Sequence, residues 1–539
     1  GALGGRFEEG SSGVVKRISL PGLAAPGVTK PFLALGVLAL ALGLVVAKFF
    51  YTSVWAVPVG GVGALYLLTR ERAGSFRLGF CYAIGLFAPL FQFTQVSMGN
   101  PLGWVALTIF ESLYLALFAW LWAAVSGTAW VREHLLSGTV IFAFLFAGCE
   151  QLRSSWPLGG FAWARLAQSQ IYSPLLPLAS WLGSSGLTFG VALLGALGAL
   201  GLVSLLRLRL EKAVTALALA ALLGVGPTFI ELPTAAQAGT LRVGAVQGSI
   251  PGKDPTQAFS REMLVTGQHV AGTRKLQDEV GAGGVDVVLW PENSADLDPR
   301  SYPQVAAVVT QASEDIKAPI VVGGVLYDDG ASSRYNDMIV WNGADGAGEI
   351  YRKHHPVPFG EYVPWRGTLR KITKQVDRIG TDMRAGSGSH TLTFTTRDGR
   401  KAKLAVGICF EVAYDNELRA GVHQGGQALY IPTNNASFVG SDESRQQLYM
   451  GRLQAVVHGR AVVQVSTTGI SATIGPDGQI RSMAKSGTQM AIVDDLPLRR
   501  DITIADRCGG LIDGFLTFGF VIVGLGFAFA APILKKKAK

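Results

Sequence analysis

"KLAVGICFEVAYDN", residues 403–416, runs from an apolar stretch into a cysteine, with a carboxylate two positions later. Residues 404–408 are short, partly β-branched and interrupted by Gly407, which reads as a buried strand ending at Cys409. Six further runs share this character: "LRVGAVQG", "VDVVLWPE", "APIVVGGVLYD", "NDMIVWNG", "QALYIPTNN" and "AVVQVSTTG". Helical patterns lie between them, near residues 256–280, 301–316, 415–424 and 442–460. Strands alternating with helices across residues 241–500 specify a layered α/β domain. At about 260 residues it is long enough to enclose a full core.

Three strands run into chemically capable residues. "VVLWPE" ends in Glu292, "GEIYRKHHPVPFGEYVP" carries Lys353 and Glu361, and "LAVGICFE" carries Cys409 and Glu411. Loops at strand ends are where α/β folds place their chemistry. A carboxylate can take the thiol proton, the thiolate can attack a carbonyl, and an ammonium with a backbone N–H can hold the oxyanion. The residues alone leave a second reading open, in which Cys409 is a buried, inert thiol.

The rest of the chain has a different character. Of 539 residues, 49% are hydrophobic, and the mean hydropathy is positive, which points to a membrane protein. A span takes about 20 apolar residues. Seven candidates precede residue 235, at 31–47, 51–68, 78–96, 102–125, 135–149, 174–205 and 213–230, and an eighth covers 511–534. The first reads as a span rather than a signal peptide, because six more follow it.

Charge orients this array. The net charge is +9, but the basic residues lie between apolar segments rather than in one stripe, which argues against nucleic-acid binding. With the N-terminus in the cytoplasm, the inside segments carry Arg6, Lys16, Arg17 and Lys30, then Arg70, Arg72 and Arg77, then Arg132. Arg207, Arg209 and Lys212 follow, and the tail adds Lys535, Lys536, Lys537 and Lys539. The short outside loops carry only Lys48, Arg153 and Arg165. By the positive-inside rule the α/β domain is then extracytoplasmic. The expected divisions are a cytoplasmic segment 1–30, a seven-span membrane domain 31–234, a catalytic domain 235–510, and an eighth span with a basic tail 511–539. In the outside loop 150–172, Trp156, Phe161 and Trp163 fit either an aromatic belt at the membrane interface or a lipid-binding role. Glu111 lies inside the fourth span, where a carboxylate usually faces a polar cavity or the bundle interior.

"LWPEN", "YRKHHPVPFGEYVP" and "GICFEVAYDN" together resemble the three signature blocks of the nitrilase superfamily, whose triad is Glu–Lys–Cys. The topology, with a nitrilase-like domain between the last two of eight spans, resembles one membrane branch, the apolipoprotein N-acyltransferases. So do "QGSIP" at Gln247–Pro251 and the loop holding Glu150, Arg153 and "GGFAW". The resemblance covers nearly the whole chain from about residue 31.

The resemblance implies an α/β sandwich in which Glu292 is the general base, Lys353 the oxyanion cation and Cys409 the acyl-carrying nucleophile. Glu361 would be a second carboxylate near the lysine, with Phe410 and Glu411 in support. Gln247, Tyr362, Trp163, Glu150 and Arg153 would contribute to substrate binding. Two departures stand out. The family's Cys-Tyr-Glu becomes Cys409-Phe410-Glu411, and a tryptophan expected after the Gln-Gly block has only Phe259 to replace it. The implied reaction moves an acyl chain from a phosphatidylethanolamine-like phospholipid to Cys409, then to the N-terminal amine of a diacylglyceryl apolipoprotein. It requires no cofactor or metal and takes place at the outer face of a bacterial inner membrane.

Other classes fit less of the chain. A membrane-anchored amidase acting on a small amide would use the same triad but would need only one span. A transporter would show paired, interrupted repeats among its spans, and none is evident. His354–His355 lacks a third metal ligand at recognisable spacing and reads as part of a loop that positions Lys353. A serine hydrolase would need a G-x-S-x-G elbow, which is absent.

Overall fold

The computed structural model describes residues 30–249, 261–295 and 297–537. The expectations for residues 1–29, for Ile250, Pro251 and Phe259, and for Lys539 lie outside the described residues.

Among the described residues, six helices are long and apolar enough to cross a membrane: Pro31–Phe49, Leu102–Ser126, Leu135–Arg153, Leu176–Leu206, Leu210–Phe229 and Ile504–Ala530. A seventh candidate is the pair Ser75–Leu90 and Gln92–Met98, bent by 48° just after Pro89, whose ring cannot continue the hydrogen-bond ladder. The stretch read as 51–68 forms only the 14-residue helix Ala56–Thr69, because residues 50–53 turn before it starts. Leu33, Leu117, Leu222, Phe515, Ile522 and Phe529 are exposed on these helices, as lipid-facing side chains are. Helices 30–49 and 75–90 cross at glycines. A Cβ on Gly43 would lie 2.1 Å from the Tyr82 carbonyl oxygen, and one on Gly85 would lie 2.2 Å from that of Leu40.

The α/β domain consists of two stacked sheets. The first contains β1 (Thr240–Gln247), β2 (Val287–Leu289), β3 (Ile320–Tyr327), β4 (Ser333–Trp341), β5 (Ala347–Arg352) and β6 (Asp382–Met383). The second contains β7 (Thr391–Thr395), β8 (Lys401–Val406), β9 (Ala428–Thr433), β10 (Val462–Ser466), β11 (Ala472–Ile474) and β12 (Ile480–Met483). The last strand, β13 (Met490–Pro497), returns to the first sheet, whose order is β13-β1-β2-β3-β4-β5 with β6 beside β4. The second sheet runs β12-β11-β10-β9-β8-β7.

Alternation along the strands explains the layering. Leu241, Val243, Leu289, Val321 and Met338 face the second sheet, against residues such as Leu404 and Val406. Their neighbours Val288, Ile320, Val322 and Ile339 face the other way, against Leu276, Val309 and Ile316 of the helices Arg261–Val280 and Pro303–Ile316. The second sheet is covered by the helices Asp415–His423 and Glu443–His458. Both sheets have parallel centres, β1-β2-β3 and β8-β9-β10. Their carboxyl ends meet where Glu292, after β2, accepts from Asn434 N, after β9.

The helices Asp415–His423 and Glu443–His458 dock onto the apolar helices and their loops through specific contacts. The Tyr51 ring lies 5.6 Å from Tyr449, and Trp163 Nε1 donates to Gln446 Oε1 at 2.6 Å. Gly183 adopts φ +70° and breaks the helix Ala179–Leu206. Ser184 N and Oγ can then donate to the two carboxylate oxygens of Asp415, at 2.9 and 2.7 Å.

Candidate active site

Cys409 follows β8 and opens the short 3-10 helix Cys409–Ala413. Its φ of +54° lies in the left-handed region, where a side chain is strained. The turn holds because Glu411 anchors it. This fully buried carboxylate accepts from Ile408 N (2.6 Å) and Tyr351 OH (2.6 Å) with one oxygen. The other oxygen accepts from His354 N (2.7 Å) and His355 N (2.8 Å). Glu411 thus ties the loop carrying the cysteine to the loop carrying the lysine.

Lys353 follows β5, and its Nζ donates to Glu361 Oε1 at 2.6 Å and lies 3.7 Å from Glu292 Oε1. The second Glu361 oxygen accepts from Val357 N at 2.7 Å, folding the eight-residue loop back onto the ammonium. Glu292 follows β2 and accepts from Asn336 Nδ2 (2.6 Å) and Asn434 N (2.9 Å). Gln447 Nε2 points at Cys409 Sγ across 3.7 Å.

Burial sets the electrostatics of this cluster. It pushes the Cys409 thiol well above the ordinary thiol range; Glu292 adds to the shift and Lys353 opposes it. Burial also raises Glu292, with Lys353 pulling it down and Glu361 pushing it up. For Lys353 burial disfavours the charge, but Glu361 and then Glu292 outweigh it and hold the pKa above the usual lysine value. The resting site is therefore a neutral thiol beside a fixed ammonium, with a carboxylate of raised basicity nearby. Such a set can deprotonate a thiol during attack and stabilise the resulting oxyanion.

The cluster lines a cavity of about 700 Å³. Its walls are mostly apolar: Phe93 and Met98 from the helix Gln92–Met98, Leu107 and Phe110 from Leu102–Ser126, and Phe359 and Phe438 from the α/β domain. Phe410 lines it as well, its ring packed at a tilt against Trp163 with centroids 4.5 Å apart.

Five expected substrate-binding residues do not line this cavity. Gln247 is buried and donates to Lys485 O (2.9 Å) and Thr488 O (2.8 Å), while its carbonyl accepts from Ser471 Oγ (2.8 Å). It pins a turn. Glu150 accepts from Leu166 N and Thr188 Oγ1 and pairs with Arg165 at 3.7 Å. Arg153 donates to Glu111 Oε2 (3.0 Å), Phe161 O (3.1 Å) and Trp163 O (2.9 Å). These side chains spend their hydrogen bonds inside the protein, holding the aromatic loop in shape. Trp163 is fully buried, which corrects the aromatic-belt reading for this residue: it backs Phe410 rather than facing headgroups. Tyr362 contributes its backbone oxygen to the Phe359 N–H at 2.8 Å and stays outside the lining.

Sequence reasoning missed Asn336, Asn434, Tyr351 and Gln447, which position the cluster, and the helix Gln92–Met98, which walls the cavity. Only Asn434 carried a signal, as the polar end of "YIPTNN".

A cysteine, a lysine and two carboxylates on the loops of this two-sheet sandwich define a thiol-dependent acyl-transfer site of the carbon–nitrogen hydrolase class. The carbon–nitrogen hydrolase family matches residues 242–500, and the apolipoprotein N-acyltransferase N-terminal domain family matches residues 38–197. The chain is 34% identical to the apolipoprotein N-acyltransferase of Mycolicibacterium smegmatis, over 87% of this chain and 81% of that protein. It is 30% identical to that of Azotobacter vinelandii, over 84% and 87%. An amidase of the nitrilase superfamily from Nesterenkonia AN1 aligns with 52% of this chain and all of its own, at 15% identity and a TM-score of 0.38. The chain belongs to the apolipoprotein N-acyltransferase family.

Proposed function

We propose that the protein transfers an acyl chain from a phospholipid to the N-terminal amine of a diacylglyceryl-cysteine lipoprotein, through a thioester on Cys409. The observation that carries this is the cavity itself. It brings the buried Cys409–Lys353–Glu292 cluster into one apolar passage with the helices Gln92–Met98 and Leu102–Ser126, a setting suited to a lipid ester. A small polar amide would need no such passage.

In the first half-reaction Glu292 takes the thiol proton as sulfur attacks the ester carbonyl. Lys353 and a backbone N–H beside Cys409 hold the oxyanion. The C–O bond breaks, and the leaving lysophospholipid oxygen takes the proton from Glu292. In the second, the free amine attacks the thioester and gives a proton to Glu292. The C–S bond then breaks, and the thiolate is reprotonated. Glu361 fixes Lys353 and is not itself consumed. The apolar walls keep water from the thioester.

The observable test is the acceptor. A diacylated lipopeptide with a free N-terminal amine should become triacylated, and its N-acetylated form should not, because its nitrogen is no longer nucleophilic. Equal acylation of both peptides, or ammonia release from soluble amides with no lipopeptide product, would reject the proposal.

The same reading sets the topology. Six long helices, the bent pair and Ala56–Thr69 supply eight apolar segments. The charge asymmetry supports a catalytic domain outside the cytoplasmic membrane. In support, the loops this asymmetry puts outside are those that touch the domain, through Tyr51, Met98 and Trp163. Protease added to intact spheroplasts should cut within 240–500 and spare a tag on the basic tail. A cut tail with an intact domain would reverse the orientation.

A further inference from the structure

Besides His355, Cys409 and Tyr414, five ionisable side chains line the cavity: Glu111, Glu292, Arg334, Lys353 and Glu361. Four have a partner of opposite charge. Glu111 pairs with Arg153 at 3.0 Å, and Lys353 pairs with Glu361 and Glu292 at 2.6 and 3.7 Å. Arg334 is different. Among the described residues no carboxylate lies within ion-pairing distance of it. It is half-buried. Its Nε donates to Thr381 O at 2.9 Å, and its Nη2 reaches Glu361 O at 3.5 Å. The guanidinium is held in place with no carboxylate in contact: Asp382 feels its charge but is ion-paired to Arg366.

A half-buried cation in an apolar cavity is costly unless an anion meets it. The arginine fork matches phosphate oxygens well. The surroundings point the same way. Segment 365–384 carries six basic residues against Asp377 and Asp382. Arg370 and Arg366 take up those two aspartates. Lys371, Lys374 and Arg384 are exposed and form no ion pair among the described residues. Trp365 and Ile372 of the same segment are also exposed, as residues at a lipid–water boundary are.

We infer that Arg334 binds the phosphodiester of the lipid donor while the donor's ester carbonyl lies at Cys409. The two positions are joined through one residue: Arg334 reaches the backbone of Glu361, and the carboxylate of Glu361 holds the Lys353 ammonium. This rests on the proposed acyl transfer and adds the recognition element for its donor. The diacylglyceryl acceptor has no phosphate, so the effect belongs to the loading step.

The experiment compares loading of Cys409, read by intact-protein mass, from phosphatidylethanolamine and from diacylglycerol with the same chains. Both donors are presented in micelles of a zwitterionic detergent. Wild type should load at least about tenfold more efficiently from the phospholipid, equivalent to about 1.4 kcal/mol. Arg334→Gln should erase that preference, lowering phospholipid kcat/KM about tenfold while diacylglycerol loading stays within about twofold. Arg334→Lys, which keeps the charge, should retain most of the preference. Discharge to the lipopeptide should be unchanged in both variants. An Arg334→Gln protein with wild-type phospholipid kcat/KM overturns the inference. If that variant is inert with both donors, Arg334→Lys decides: loss of its preference overturns the inference, and retention supports it. A wild type that loads from neither lipid rejects the acyl transfer itself, and this inference with it.

Discussion

Cys409→Ala should abolish acyl transfer, a loss on the order of 10⁴-fold or more, while the protein still inserts and folds. Sγ is the atom that carries the acyl group, and among the described residues no other thiol lines the cavity. Glu292→Gln and Lys353→Ala should each cost nearly as much, since one removes the proton acceptor and the other the oxyanion cation. Groups that act as a unit give non-additive losses, so the triple variant should be little worse than Cys409→Ala alone. Glu361→Gln should show a smaller effect, about tenfold or more on thioester formation, because Lys353 stays in place but is held less firmly. Cys508→Ala is the control: that thiol is exposed at the start of the last helix. The measurement is lipopeptide turnover alongside thermal unfolding. Wild-type turnover by Cys409→Ala would end the assignment.

Glu411→Ala should be the most damaging change to stability. Its carboxylate accepts from three backbone N–H groups and a phenol, all buried or partly buried. Removing it leaves four donors unpaired, each costing roughly 1–3 kcal/mol and not fully additive. A net loss of about 4 kcal/mol or more is expected, together with a fall in activity of at least about 100-fold, because the two loops it ties carry Cys409 and Lys353. Glu411→Gln should do little better, since its amide NH₂ turns donors toward donors. Equilibrium unfolding and turnover, measured side by side, check this. A variant within about 1 kcal/mol of wild type would mean that the loops are held by other contacts.

Much of this was legible in the sequence because it is local. The strands that fill the inter-sheet core are β-branched runs, and the residues after them include Glu292 and Cys409. The four helices between strands were likewise visible from their periodicity. β12, "IRSM", was missed because it is an edge strand with mostly exposed side chains. The bent helix Gln92–Met98 was hidden inside a longer apolar run. Partner choice was the harder problem. An aromatic loop between spans reads the same whether Trp163 meets lipid or, as found, packs against Phe410. Glu150 and Arg153 read as exposed ligands in a loop. The structure turns them inward, onto Leu166 N, Trp163 O and the Thr188 hydroxyl, each ten or more residues away in the chain. Asn336 and Gln447 had no local signal, because their roles exist only once the two sheets bring them beside Glu292 and Cys409.

The most direct measurement is the mass of the intact protein after incubation with phospholipid and no acceptor. The protein should gain one fatty acyl chain, mapped to Cys409 and released by neutral hydroxylamine as a thioester is. Adding the free-amine lipopeptide should then discharge it. No acyl mass on Cys409, with soluble amides hydrolysed to ammonia by the same preparation, would contradict the account and leave an amidase in its place.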